Sequence, residues 1–112
     1  MYRKTVEELE EDLREKLVID VREQEEYKKE TIPGAVNIYW EEFEQQKHKL
    51  QKDMPIYLMC YTGQKSDELA DDLNREGYEA YSITEGYRGY LRLKLKRLTE
   101  QEDLKENRCF RS

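Results

Sequence analysis

The stretch PIYLMC, residues 55–60, sets the tightest limit on how this chain folds. Ile56, Tyr57, Leu58 and Met59 leave neither face of a strand polar. A strand with one wet face alternates between apolar and polar residues, whereas a strand buried on both sides does not. Strands of the second kind belong to parallel sheets covered by helices. The segment therefore predicts an α/β fold with itself near the middle of a mainly parallel sheet.

The flanking sequence supplies the other layers. LVIDV (17–21), AVNIYW (35–40) and YEAYSI (78–83) read as further strands. Between them lie helical stretches. In TVEELEEDLREK (5–16), Thr5 and Glu8 form a capping-box pattern. Val6, Leu9 and Leu13 then recur at helical spacing, which predicts one apolar face. EQEEYKKE (23–30) reads as a brief helix, and IPGA (32–35) as a turn built on Pro33 and Gly34. EEFEQQKHKL (41–50) is helical, with Phe43, Lys47 and Leu50 near one face. SDELADDLNREG (66–77) sets Leu69, Ala70 and Leu73 on one stripe, with Gly77 at the C-cap. GYRGYLRLKLKRL (86–98) predicts a helix after its glycines, and TEQEDLKENR (99–108) a last one.

At 112 residues the chain suits one domain over residues 1–112, with one core. Charged residues make up 41% of it, but the apolar 37% gathers into short runs, which argues for a globular core beneath a charged surface. The net charge of -6 opposes a general nucleic-acid surface, which rests on a basic footprint. Residues 92–112 run the other way, with seven Lys/Arg against four Asp/Glu, and read as a solvated helix end. No run approaches the roughly 20 apolar residues of a membrane span. The N-terminus lacks the apolar core of a signal peptide. Cys60 and Cys109 do not make a disulfide framework, so a cytoplasmic setting is expected.

Cys60 ends the central strand, on the side where open parallel sheets hold their ligands. It has three readings: a small buried hydrophobe, a metal ligand or a nucleophile. No paired Cys/His spacing supports a metal site. Position favours the nucleophile. The loop CYTGQKS (60–66) is short, Gly63 allows close backbone approach, and a helix starts near Gln64–Ser66. The free amides of such a helix start favour anions and the thiolate. Lys65 adds a positive charge. The one histidine, His48, reads as a solvated surface residue rather than a partner base. A cysteine activated by its loop alone suits chemistry with little proton transfer, and sulfur transfer fits.

Four segments, in order, resemble the rhodanese family of sulfurtransferases in its single-domain form. LVIDVREQEEY looks like its opening strand and Asp-x-Arg, IPGAVNI its next signature, YLMCYTGQKS its active-site loop and TEGYRGYL its later glycine-aromatic segment. The match covers about residues 5–95 and leaves 96–112 as a helical extension or tail. Glu30 and Thr31 stand where the family often has Gly-His, and Glu85 replaces one glycine.

The resemblance implies a three-layer fold, a mainly parallel sheet of four to five strands and helices on both faces. It implies that Cys60 carries a persulfide, with no cofactor and no metal. It further implies that the amides of Tyr61, Thr62, Gly63, Gln64, Lys65 and Ser66 cradle the sulfur or its donor. Asp20 and Arg22 match the opening motif, and a buried pair supporting the site is the expected role. Implied partners are thiosulfate or a persulfide as donor, a thiol or cyanide as acceptor, and a sulfur-relay protein. Tyr61 and Thr62 stand at positions that are cationic in some thiosulfate-using relatives. Ser66 occupies the place of the phosphate-clamping arginine in related phosphatases, which disfavours that chemistry. The competing class is a non-catalytic binding module of the same fold. Cys109, between Arg108 and Arg111, reads as an incidental tail cysteine, with a resolving thiol as the other reading.

Overall fold

A computed structural model describes the backbone of residues 2–111 and the side chains of residues 2–101. Five parallel strands form one sheet in the order β1-β5-β4-β2-β3. They are β1 (Arg3–Lys4), β2 (Leu17–Asp20), β3 (Val36–Asn37), β4 (Ile56–Met59) and β5 (Ala80–Ile83). The doubly apolar segment is the middle strand, and all four of its residues are buried. Leu17 pairs with Ile56 and Asp20 with Met59, so the ends of β2 and β4 lie level.

The pleat divides β4 between two cores. Ile56 and Leu58 join Phe43, Ala70 and Leu73 on one face. These come from α3 (Phe43–Gln46) and α4 (Gln64–Arg75). Tyr57 and Met59 join Val6, Leu9 and Ile83 on the other face, against α1 (Val6–Glu11) and the start of α5 (Gly86–Arg111). Each face of the strand thus has its own helical cover, as its composition requires. The remaining helix, α2 (Gln24–Lys29), buries no residue, and the Tyr27 hydroxyl ties it down by donating to the Ala35 carbonyl at 2.8 Å.

Three expectations are corrected. Helix α1 stops at Glu11, and Leu13 is 94% exposed instead of on the apolar face. The Asp12 carboxylate there accepts from the Arg14 side chain and from the Tyr57 hydroxyl at 2.7 Å, which fixes the chain in a turn. Arg14 first, and then Tyr57, hold that carboxyl well below the usual carboxylate range. The AVNIYW strand shrinks to two residues, because Trp40 already begins a 3₁₀ turn. Residues 86–111 form one continuous helix, not two. The side chain of Cys109 lies outside the described residues.

Candidate active site

Level strand ends bring the two predicted parts of the site together. Beyond β2, the Asp20 carboxylate accepts from the Arg22 amide at 2.9 Å, from its Nη2 at 2.8 Å and from the Thr31 hydroxyl at 2.8 Å. The ion pair is dry, with side chains 0% and 1% exposed. Arg22 also donates to the Glu30 carbonyl, and its guanidinium lies 3.9 Å from the Tyr87 ring centroid. Asn37 closes the corner by donating to the carbonyls of Asp20 and Arg22, each at 2.9 Å. Every hydrogen bond described here joins one part of the scaffold to another.

Beyond β4, Cys60 is 6% exposed. Its Sγ accepts from the Gly63 amide at 3.1 Å and the Ser66 amide at 3.4 Å. Of the six loop residues, only these two point their amides at the sulfur. The loop turns at Gly63, whose φ of +101° is left-handed, a region that favours glycine. Tyr61, Thr62, Gln64 and Lys65 instead line the opening over Cys60. His48 is exposed in a 3₁₀ turn and takes no part in that lining.

A second layer was not legible in the sequence. The Ser66 hydroxyl lies 3.4 Å from Cys60 Sγ and 2.7 Å from the hydroxyl of Ser82, on β5. Both serines are buried, at 0% and 1% exposure. Each hydroxyl has one proton to give. With a sulfur anion present, Ser82 donates to Ser66 and Ser66 donates to the sulfur. With a neutral thiol, Ser66 turns to the Gly63 carbonyl at 3.2 Å. That carbonyl also accepts from the Asp67 amide at 2.9 Å, so it keeps a partner in either arrangement. A third donor for a charged sulfur is therefore built in, with nothing left unpaired.

The start of α5 holds the nucleophile's own backbone. The Tyr87 amide donates to the Cys60 carbonyl at 2.7 Å, and the Arg88 amide to the Tyr61 carbonyl at 3.2 Å. Gly86 permits this approach, since a Cβ there would overlap the Cys60 carbonyl and come within 2.9 Å of the Tyr61 carbonyl carbon.

Above Cys60 is a cavity of about 370 Å³. Tyr39, Trp40 and Tyr61 give it aromatic walls, and Glu23, Glu26 and Glu68 give it acidic ones. Lys65 Nζ lies 4.3 Å from the Trp40 ring centroid and 3.3 Å from Glu68. The Tyr61 hydroxyl holds the Glu26 carboxyl below its ordinary range. Among the described residues no cluster of His, Cys, Asp and Glu is placed to hold a metal ion. The arrangement can stabilise an anionic sulfur nucleophile and admit a small group to it.

Comparison with known proteins gives one consistent result. Residues 5–93 match the sequence model of the Rhodanese-like domain. A tRNA sulfurtransferase of Desulfurococcus amylolyticus is 39% identical over 74 residues, 66% of this chain but 14% of that protein's length. The thiosulfate sulfurtransferase GlpE of Coxiella burnetii is 31% identical over 75 residues, 66% of this chain and 70% of GlpE. The crystal structure of a rhodanese-related protein from Thermoplasma volcanium superposes with a TM-score of 0.76. It covers 82% of this chain and 92% of its own at 22% identity, which speaks to the fold alone.

Proposed function

We propose, from the premise that this chain belongs to the rhodanese-like family of sulfurtransferases, that it moves sulfane sulfur through a persulfide on Cys60. The Cys60 thiolate attacks the outer sulfur of a donor. A sulfur–sulfur bond forms, and the donor's own bond to that sulfur breaks. The departing group leaves with the electron pair. The Gly63 amide, the Ser66 amide and the Ser66 hydroxyl hold the inner sulfur, that of Cys60, which is the thiolate before loading and again on release. An acceptor thiolate or cyanide then attacks the outer sulfur, and Cys60 leaves as the thiolate that began the cycle. No proton need move in either step, which suits a site where no side-chain base touches the sulfur among the described residues. Neither step calls on a cofactor.

The observation that carries this reading is Cys60 Sγ seated on two amides at the start of α4. Such donors stabilise charge without reorganising as it moves. The expected result is a mass gain of roughly 32 Da, one sulfur rather than the oxygens of the cysteine oxidation ladder, on Cys60 after treatment with thiosulfate or polysulfide. Cyanide should then remove it. Cys60→Ser should neither load nor transfer. Equal transfer by both proteins overturns the proposal and leaves the binding-module reading.

A further inference from the structure

The cavity over Cys60 has an unusual charge balance for a site that handles anionic sulfur. Among the described residues two cations reach its wall, and both are already engaged. Arg22 is locked to Asp20 at 2.8 Å with its side chain 1% exposed. Lys65 is paired to Glu68 and lies over Trp40. Glu23 and Glu26 remain on the wall; Glu26 has Lys29 at 3.5 Å on the solvent side and feels the charge of Arg22, while among the described residues no ion pair engages Glu23. Glu41 and Glu42 extend the same sign past Tyr39, whose hydroxyl is raised first by burial and then by the charges of Glu41 and Glu23. Arg88 and Arg92 stand across Thr62, over a separate depression that Cys60 does not line. The aromatic rings Tyr39, Trp40 and Tyr61 complete the wall, and Trp40 already receives one ammonium, that of Lys65. Aromatic faces among carboxylates attract cations.

We propose that this mouth selects a cationic sulfur partner, a thiol or persulfide with an ammonium or guanidinium beside its sulfur, over anionic ones. The inference rests on the sulfur-transfer reading and names its substrate class. The partner's sulfur meets the Cys60 sulfur at the bottom of the cavity, while the attached cation meets the carboxylates and rings of the mouth. Transfer runs as before. The partner's thiolate takes the outer sulfur, the Cys60–sulfur bond breaks, and Cys60 thiolate and the partner's persulfide are the products. A dianion such as thiosulfate must reach the same Cys60 sulfur but is repelled by the carboxylates at the rim.

The test loads Cys60 with polysulfide, confirms the added sulfur by mass, and times discharge to three small thiols. These are cysteamine (cationic), 2-mercaptoethanol (neutral) and 2-mercaptoethanesulfonate (anionic), each rate corrected for the thiolate present. The expected order is cationic, neutral, anionic, with about tenfold between the ends at low salt. The spread should collapse at high salt, as screened charges require. The double variant Glu23→Lys/Glu68→Lys should reverse the order, while Glu7→Lys, on α1 outside the cavity, should keep it. Lys-Cys-Lys and Glu-Cys-Glu peptides locate the source. A wider spread with peptides assigns the cation to a polypeptide partner, and an equal spread to a free aminothiol. A Cys60 that takes no sulfur overturns the sulfur-transfer reading and this inference with it. A Cys60 that loads and discharges equally to all three thiols overturns the charge selection alone.

Discussion

Two cations face one cavity and are held in opposite ways. Arg22 sits at the end of β2 with its side chain 1% exposed and donates to a carboxylate and a carbonyl. Lys65 sits at the start of α4 with its side chain 41% exposed and Glu68 60% exposed. The first pair lacks solvent to replace a lost partner, so it is architecture. Removing one member of such a pair leaves a stranded charge and costs about 3–5 kcal/mol. The second pair has water at hand, and exposed pairs contribute about 0–1 kcal/mol. Proximity to the nucleophile therefore does not by itself assign a role. The dry cation belongs to the fold, and the wet one is held by a pair that water can replace.

The largest expected effect breaks the dry pair. Asp20→Ala should lower stability by about 3–5 kcal/mol, a loss of well over ten degrees in Tm for a chain of this size. Calorimetry decides it, and a change of a degree or two would show that Arg22 finds solvent after all.

A pH titration probes the ring under Arg22. Burial first, and then Glu30's acceptance of its proton, push the Tyr87 hydroxyl up to about 12. A folded value above the unfolded one means the native state holds the proton more tightly. The stabilisation is full below the unfolded value near 10 and is lost as pH rises from there towards 12. Denaturant midpoints measured across that window should fall. Glu30→Gln should flatten the part due to the lost charge.

Ser82→Ala tests the supporting layer under Cys60. It should cost about 1 kcal/mol, the ordinary worth of one hydrogen bond. It should also slow iodoacetamide alkylation of Cys60 at neutral pH, because Ser66 loses the donor that turns its own proton to the sulfur. Ser82→Thr should restore the rate. Slowing without rescue would make Ser82 mere packing. Lys65→Ala sharpens the contrast from the wet side. Tm should move by only a few degrees, since about 1 kcal/mol is the ceiling for such a pair, while rates with charged sulfur partners change. A Tm loss matching that of Asp20→Ala would erase the distinction between the two cations.

The smallest effect is at Glu85, a non-glycine residue with φ of +59°. Glycine there relieves about 1 kcal/mol of backbone strain but loosens the unfolded chain by a similar amount. It also removes the 2.5 Å pair with Arg92. Glu85→Gly should therefore leave Tm nearly unchanged.

Sequence reading succeeded where one local rule decided the outcome. The doubly apolar β4, the Thr5–Glu8 capping box and Gly77 with its φ of +95° each have a local cause. The loop from Cys60 was legible too, because the end of a buried strand, a glycine and a helix start occur in immediate succession. What stayed hidden depends on distant neighbours. The pairing of β1 is two polar residues long, and its partner lies some 80 residues away, Arg3 opposite Ser82. Ser82 itself reads as an ordinary polar position, and only the fold lays it against Ser66. Leu13 was misplaced because Asp12 ends the helix through Arg14 and the distant Tyr57. The acidic mouth joins α2, the turn at Trp40 and α4, and no short window of sequence contains all three.

The contact between Gly86 and the Cys60 carbonyl has a consequence for how such a protein can vary. Residues 85–88 form the turn at which a long helix meets the reactive loop, and their tolerance to substitution should differ sharply. Randomise all four codons, select for soluble protein, and position 86 should come back as glycine almost without exception. Position 88, an exposed side chain, should return nearly the whole alphabet. Mutational freedom would thus switch from none to nearly complete within two residues, and the residue without a side chain would be the one that evolution cannot edit.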